Sequence, residues 1–341
     1  MTVKAAVLGA GSWGTALAMV LTANGDDVAL WSRSEAHVAE MEATRKNEKY
    51  LPQATLPRNI RVTSSLREAV SDAALVLFVV PSQAMRDVAG EAAAVIRDDQ
   101  LVIHAAKGFE QGTFKRMSEV LAEQLQTHDS AQIVVLSGPS HAEEVAEQSP
   151  TTVVVSAEEI AYAEQAQDYL INPFFRVYTN PDVVGTEIGG ALKNIIALSA
   201  GMSDGLGYGD NAKAALLTRG LAEIVRLGAR MGADPRTFAG LAGFGDLVVT
   251  CTSKHSRNWQ AGYLLGQGKP LGDVLRQMGM VVEGVKTTQT AHALAKQYQV
   301  EMPITAELYN VLFADKNPRL AVEHLMGRVK RHETEDVLRE L

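Results

Sequence analysis

Short apolar runs alternate with helical stretches in the first half of the chain. The runs are continuous, without alternating polar positions, which is typical of strands buried on both faces of a parallel sheet. They lie at Val3–Leu8, Val28–Trp31, Leu75–Val80, Leu101–Ala105, Ile133–Leu136 and Thr152–Val155. Helical stretches of roughly a dozen residues separate most of them, so the pattern predicts βαβ units in a doubly wound parallel sheet.

The pattern changes after Asn180-Pro181, where helical periodicity dominates. It predicts helices over Gly185–Gly201, Asn211–Met231 and Trp259–Gly266. Asp234-Pro235 has the form of a helix start, an N-cap followed by proline. The sequence therefore predicts an α/β domain over residues 1–180 and an all-α domain over residues 181–341.

Composition limits the kinds of molecule that the protein is expected to bind. The 341 residues carry a net charge of −8 with no long basic run, so neither nucleic acid nor an anionic membrane is expected to bind. No apolar run approaches ~20 residues, and no leader segment is expected. The lone Cys251 excludes a disulfide framework and is consistent with a cytoplasmic location. The scattered histidines indicate no metal site.

The segment Gly9-Ala10-Gly11-Ser12-Trp13-Gly14 follows the first strand and opens a helix over Thr15–Ala23. In this context Gly9 allows a tight turn, Gly11 lets the backbone approach a pyrophosphate, and Gly14 lets helix and strand pack closely. The helix start adds N–H donors and a positive dipole end. We therefore predict a dinucleotide site, although a purely structural βα turn would show the same glycines.

After the second strand, the position that holds an acidic residue in many NAD sites is occupied by Ser32-Arg33-Ser34. Arg33 can face a 2′-phosphate with its planar guanidinium, which favours NADP over NAD. The alternative is a solvated surface arginine.

Lys193 is the single charged residue of Ile188–Leu198. In a helix its neighbours include Gly189, Gly190 and Ala197, which suggests a floor with room for a ligand. A buried ammonium has a lowered pKa and suits acid–base catalysis near neutrality. The alternative is a lysine that extends from a domain interface into solvent.

Two further segments carry candidate polar groups. Asp246 and Thr250 are four residues apart at a helix start and could orient a lysine and a substrate hydroxyl, or Asp246 could simply interact with the helix dipole. Ser256 can cap the next helix, leaving N–H groups, Arg257 and Asn258 for an anion such as phosphate. An exposed arginine at a helix start is the simpler interpretation of Arg257.

Seven motifs occur together in this order: Gly9–Gly14, Lys107-Gly108, Ser137-Gly138-Pro139-Ser140, Leu192-Lys193-Asn194, Gly243–Cys251, Ser256-Arg257-Asn258 and Val282-Glu283-Gly284. Over essentially the whole chain, this combination resembles the NAD(P)-dependent glycerol-3-phosphate dehydrogenases of bacteria. The resemblance implies a Rossmann-like domain followed by a helical domain like that of the 6-phosphogluconate dehydrogenase group. It also implies a homodimer and the interconversion of dihydroxyacetone phosphate and sn-glycerol 3-phosphate, which supplies phospholipid synthesis.

The resemblance also implies residue roles. Lys193 would be the proton donor or acceptor, with Lys107 and Asp246 as the other catalytic residues. The implied substrate contacts are Lys107, Gly138, Ser140, Lys193, Asp246, Thr250, Ser256, Arg257 and Asn258. The implied cofactor contacts are Gly9, Gly11, Ser12, Trp13, Gly14, Arg33, Lys107, Ala142, Arg257, Val281 and Glu283.

Two other functions fit parts of the sequence. A β-hydroxyacid dehydrogenase of the same two-domain plan would place a carboxylate at Arg257. The other is a regulator that binds NADP without turnover, but this function would not explain why Lys193 lies in an apolar helix beside small residues.

Overall fold

We describe the protein from a computed structural model, covering residues 3–126, 128–279, 281–330 and 332–333. The chain forms two compact units. The first contains the chain up to Ala106 and Lys115–Val183, and the second contains Lys107–Phe114 and the chain from Val184 onward. The short segment Lys107–Phe114 thus belongs to the second unit although it lies early in the sequence.

The strands of the first unit are β1 (Lys4–Leu8), β2 (Asp27–Trp31), β3 (Lys46–Asn47), β4 (Leu51–Thr55), β5 (Ile60–Thr63), β6 (Leu75–Phe78), β7 (Leu101–His104), β8 (Val134–Ser137), β9 (Thr151–Ser156) and β10 (Phe175–Asn180). Its helices are α1 (Ser12–Ala23), α2 (Glu35–Thr44), α3 (Leu66–Val70), α4 (Met85–Ala93), α5 (Met117–Gln124), α6 (Ala142–Ala146) and α7 (Ile160–Leu170). Short 3-10 turns lie at Ser82–Ala84 and Ser130–Gln132.

Eight of the described strands form one sheet in the order β10-β9-β8-β7-β6-β1-β2-β5, and β3 and β4 form a separate hairpin. Buried side chains cover both faces of the sheet. This confirms the predicted Rossmann-like plan, in which continuous apolar runs become central strands.

The sheet departs from a purely parallel arrangement at one pair, because β8 and β9 run antiparallel. Between them lies only the five-residue α6, whereas a parallel crossover normally needs a full helix that spans the sheet. β5 and β10 are edge strands with alternating burial, so neither shows the continuous apolar run from which strands were predicted.

The helices of the second unit are α8 (Val183–Gly205), α9 (Asp210–Arg230), α10 (Asp246–Thr252), α11 (Arg257–Gly266), α12 (Leu271–Met278), α13 (Glu283–Gln297), α14 (Pro303–Phe313) and α15 (Pro318–Met326). A 3-10 segment at Pro235–Ala239 and a π-helical turn at Leu241–Gly245 precede α10. The predicted cap at Asp234 is confirmed, since its carboxylate accepts from Arg236 N at 2.9 Å. Within the described segments, no helix combines the length and apolar character needed to cross a bilayer.

α8 is the central helix of the second unit, and its residues from Gly185 to Leu198 are buried on every side. Such a helix must meet its neighbours closely. A Cβ on Gly201 would lie 1.9 Å from Trp259 O, and one on Gly262 would lie 1.9 Å from Leu198 O. The backbones of α8 and α11 are therefore in direct contact, which places the start of α11 beside the helix that carries Lys193.

Candidate functional site

The glycine loop (Gly9–Gly14) follows β1 and opens α1, as predicted, and the helix begins at Ser12 within the loop. Gly9 has φ +124°, a left-handed conformation that favours glycine, and its Cβ would lie 2.5 Å from Val79 O. A Cβ on Gly14 would lie 1.9 Å from Gly9 O. A Cβ on Gly11 would meet nothing within 4 Å, so the backbone is open there.

These features test whether a dinucleotide fits. Gly11 is the N-cap of α1 and offers no side-chain cap to the first turn of that helix. The N–H groups at Ser12 and Trp13 thus keep the orientation that anions use at helix starts. The open space at Gly11 and the uncapped first turn therefore fit a pyrophosphate.

Asn47 supports the glycine loop from outside it, and the sequence interpretation missed this residue. It is fully buried on β3, and its amide nitrogen donates to Ala10 O at 3.0 Å and to Thr15 Oγ1 at 2.8 Å. No motif marks this asparagine, because it lies 37 residues from Ala10 and meets the loop only through the fold.

Arg33 lies at the end of β2 with its side chain 59% exposed, 3.5 Å from an oxygen of Glu91. Ser34 caps α2 by accepting from His37 N. This geometry leaves Arg33 available to an external phosphate and is equally compatible with a surface arginine.

The other predicted residues of the first unit follow β8. Gly138 has φ +131°, and a Cβ there would lie 3.0 Å from Val153 Cα. Ser140 Oγ donates to Gly138 O at 3.1 Å, which folds this turn back on itself. Ala142 is buried as the first residue of α6.

The second unit brings Lys107, Lys193, Asp246 and Thr250 together, and we call these four residues the lysine–aspartate cluster. Lys193 Nζ contacts Asp246 Oδ1 and donates to Thr250 Oγ1 at 2.8 Å. Lys107 Nζ donates to Asp246 Oδ2 at 2.6 Å. Asp246 thus holds one lysine with each carboxylate oxygen, and it is only 1% exposed.

The electrostatics of the cluster follow from its burial. Burial and the positive charge of Lys107 lower the pKa of Lys193 to about 7, against the opposing effect of Asp246. Burial acts to raise the pKa of Asp246, but the two lysines outweigh it and hold that pKa below its ordinary value. Lys193 therefore titrates near neutral pH, chiefly because its ammonium is buried.

The glycines near Lys193 have a different role from the predicted ligand floor. A Cβ on Gly189 would lie 2.6 Å from Ala242 O, so the backbone of the π-helical turn fills the space above this glycine. The prediction that Gly189 leaves room for a ligand was therefore wrong. The close contact instead brings the turn before Asp246 against α8, which carries Lys193.

Cys251 adjoins the cluster but takes no part in it. It is fully buried, and burial raises the pKa of its thiol to about 12. This agrees with the interpretation of Cys251 as a small buried hydrophobic residue.

Ser256, Arg257 and Asn258 form the start of α11. The predicted cap is confirmed, since Ser256 Oγ accepts from Trp259 N at 3.3 Å. Arg257 is exposed, and its guanidinium donates to Val281 O at 3.4 Å. That contact connects Arg257 with the segment before α13, where Glu283 is the first helical residue.

Asn258 is buried and joins three helices. Its amide nitrogen donates to Asn194 Oδ1 at 2.9 Å, and its Oδ1 accepts from Gly284 N at 2.8 Å. Asn194, which follows Lys193 on α8, was not among the predicted site residues, although the Leu192-Lys193-Asn194 motif contains it. Across the described part of the chain, no group of three or more His, Cys, Asp or Glu side chains could hold a metal ion.

Comparison with known proteins gives two family matches. The model for the N-terminus of NAD-dependent glycerol-3-phosphate dehydrogenase matches residues 4–163, and the model for its C-terminus matches residues 182–323. Glycerol-3-phosphate dehydrogenase (NAD(P)+) of Bacillus cereus strain B4264 is 58% identical over 334 residues, which is 98% of each chain. The Bacillus cytotoxicus protein of the same name is 57% identical with the same coverage.

A solved structure is also similar. The crystal structure of glycerol-3-phosphate dehydrogenase from Coxiella burnetii has a TM-score of 0.91 and 39% identity. The match covers 96% of this chain and 99% of the Coxiella chain, so it includes both units.

Proposed function

This chain belongs to the NAD-dependent glycerol-3-phosphate dehydrogenase family of oxidoreductases, which use NAD or NADP, and we propose that it interconverts dihydroxyacetone phosphate and sn-glycerol 3-phosphate. The observation that carries the chemical assignment is the position of Lys193. Its ammonium lies on a helix buried all round, between a carboxylate and a hydroxyl, with a pKa of about 7.

Lys193 is the acid in the reductive direction. When bound, the reduced nicotinamide supplies a hydride to the ketone carbon. Lys193 gives its proton to the oxygen that becomes the alcohol, and in oxidation the neutral amine takes that proton back. Because an efficient acid–base group titrates near the working pH, the lowered pKa of Lys193 suits both directions.

Asp246, Lys107 and Thr250 prepare Lys193 for this exchange. Asp246 fixes the direction of the Lys193 amine, and Thr250 Oγ1 accepts from it. Lys107, held on the other oxygen of Asp246, stabilises negative charge on the substrate oxygen. The cluster carries two lysines and one carboxylate, so it is suited to an anionic substrate.

We propose that the start of α11 binds the substrate phosphate. Ser256 caps the helix and buried Asn258 holds its first turn in place. The other N–H groups of the first turn, together with Arg257, would then bind the phosphate. By resemblance, Gly138 and Ser140 also contact the substrate. This binding contributes energy remote from the reacting carbon.

The cofactor assignment extends from the glycine loop. We propose that the backbone at Gly9, Gly11, Ser12, Trp13 and Gly14 binds the pyrophosphate, and that Arg33 favours NADP over NAD. Lys107, Ala142, Arg257, Val281 and Glu283 are proposed as further cofactor contacts by resemblance.

Several broader proposals have separate grounds. The change of pattern after Asn180-Pro181 supports a functional division into residues 1–180 and 181–341, and the lone Cys251 supports a cytoplasmic location. The resemblance supports a homodimer and a role in supplying phospholipid synthesis.

A spectrophotometric assay tests the proposed function. Dihydroxyacetone phosphate should oxidise NADPH or NADH in the presence of the protein, and a panel of 3-oxo acids should not. Turnover of a 3-oxo acid alone would favour a β-hydroxyacid dehydrogenase, and cofactor binding without any turnover would favour a sensor.

A further inference from the structure

Asp204 lies in the last turn of α8 with its side chain 15% exposed, and the proposed mechanism gives it no role. It is eleven residues after Lys193, which is about 16 Å along a helix axis, so it does not act on the lysine–aspartate cluster directly. Its Oδ2 accepts from Trp259 Nε1 at 2.7 Å and from Lys213 Nζ at 2.8 Å. One carboxylate therefore joins α8, α9 and α11.

Trp259 is the third residue of α11, immediately after Arg257 and Asn258. Its backbone N–H donates to Ser256 Oγ, its indole donates to Asp204, and its ring stacks on Tyr263 at a centroid distance of 5.2 Å. These contacts hold the first turn of α11 at both its backbone and its outer side chain.

The hydrogen bond between Trp259 and Asp204 constrains α11 in a way that the close contact between α8 and α11 does not. The glycine contacts set the distance between the two helices but are not directional. A hydrogen bond from an indole to a carboxylate is directional, and it resists rotation of the first turn about the helix axis. The direction of that turn determines where Arg257 and the first N–H groups point.

We propose that Asp204 is a positioning residue for the anion-binding turn of α11, acting through Trp259 to orient Arg257 toward a phosphate group. This inference rests on the proposed function for its substrate, but the turn can also be tested with inorganic phosphate alone. Lys213 holds the carboxylate in place and balances its charge.

The variants Asp204→Ala and Trp259→Phe break the same hydrogen bond from its two sides. Each should raise KM for dihydroxyacetone phosphate by about tenfold, the usual result of losing one charge-assisted hydrogen bond, with kcat within about twofold. Activity on unphosphorylated dihydroxyacetone should change by less than about twofold. The double variant should be no worse than Asp204→Ala, because both changes remove one interaction.

Asp204→Asn keeps an oxygen acceptor for the indole and should stay within about threefold of the wild type. Asp273→Asn, on the exposed surface of α12, is the matched control. Thermal unfolding followed by circular dichroism shows whether each variant folds, and Trp259→Phe carries the test if Asp204→Ala does not fold, because it removes the same hydrogen bond.

Calorimetric titration with inorganic phosphate separates this inference from the proposed function. If the wild type binds phosphate and Asp204→Ala binds it about tenfold more weakly, the positioning role stands even if dihydroxyacetone phosphate is not reduced. If the wild type reduces dihydroxyacetone phosphate and the variants lose kcat equally on both substrates, or bind phosphate normally, Asp204 is only structural. A wild type that neither binds phosphate nor turns over the phosphorylated substrate overturns both proposals.

Discussion

The glycine loop of the first unit and the lysine–aspartate cluster of the second are built in opposite ways. The loop is six consecutive residues, and its proposed role depends on glycines without side chains, since Gly11 leaves its backbone open. The cluster brings together polar and charged side chains from distant parts of the sequence, since Lys107 and Asp246 alone are 139 residues apart. Binding a pyrophosphate requires exposed backbone donors, which a local turn supplies, whereas acid–base chemistry requires a low-dielectric enclosure, which only a packed unit supplies.

The strongest test of this contrast is Lys193→Ala. It should lower kcat by about 10²- to 10⁴-fold, because a positioned acid–base group is lost, while NADPH affinity stays nearly unchanged. Stopped-flow turnover and fluorescence titration of NADPH measure the two effects. Lys269→Ala, an exposed lysine on the same unit, is the control. A variant that keeps more than a tenth of the wild-type kcat would contradict the assigned role.

Arg257→Ala should reduce kcat/KM for dihydroxyacetone phosphate by about thirtyfold, near the lower end of the cost of removing one partner of a charge pair. The lower end applies because Arg257 is exposed. Unphosphorylated dihydroxyacetone should be affected far less, since it lacks the charge that Arg257 meets. Equal losses on the two substrates would assign Arg257 to the cofactor or to the fold.

Two alanine variants probe the glycine loop. Gly14→Ala should lower stability by about 1–3 kcal/mol, because its Cβ would overlap Gly9 O. Gly11→Ala should leave the midpoint of thermal unfolding nearly unchanged, because its Cβ meets no protein atom, yet it should weaken cofactor binding. Calorimetry of both variants with and without NADPH makes the comparison. Normal NADPH affinity in Gly11→Ala would place the pyrophosphate elsewhere.

The pH dependence of the two reaction directions tests the cluster. Reduction uses the Lys193 ammonium, so its rate should fall by about tenfold per pH unit above a pKa of about 7. Oxidation uses the neutral amine, so its rate should rise with pH up to about 7 and level off above that value. Initial rates measured in both directions from about pH 5.5 to about pH 9, in steps of about half a pH unit, would show these two profiles. Parallel profiles in the two directions would exclude Lys193 as the titrating group.

The smallest expected effect is at Arg33. Arg33→Asp should reduce the preference for NADP over NAD, measured as the ratio of the two KM values, by about three- to tenfold. The effect is small because exposed charge pairs contribute only about 1 kcal/mol. Arg61→Asp changes another exposed arginine of the same unit and serves as the control. An unchanged cofactor ratio would mean that Arg33 is a surface residue.

The sequence by itself determined the features that depend on neighbouring residues. Continuous apolar runs predicted the central strands, and the strand–glycine–helix order predicted the loop at Gly9–Gly14. The caps at Asp234 and Ser256 followed from local rules of helix starts. Each of these depends on contacts within a few residues, where the chain has few alternative conformations.

Only the tertiary structure decided the features that depend on distant contacts. These include the antiparallel β8–β9 pair, the edge strands β5 and β10, the hydrogen bond from Asn47 to the glycine loop and the contact of Gly189 with Ala242. The meeting of Lys107, Lys193 and Asp246 is of the same kind. Their spacing in the sequence placed Asp246 and Thr250 on one helix face. That this face meets Lys193 is decided by the packing of the helices in the second unit. Because the lowered pKa of Lys193 comes from that packing, its chemistry is a property of the folded chain rather than of the motif.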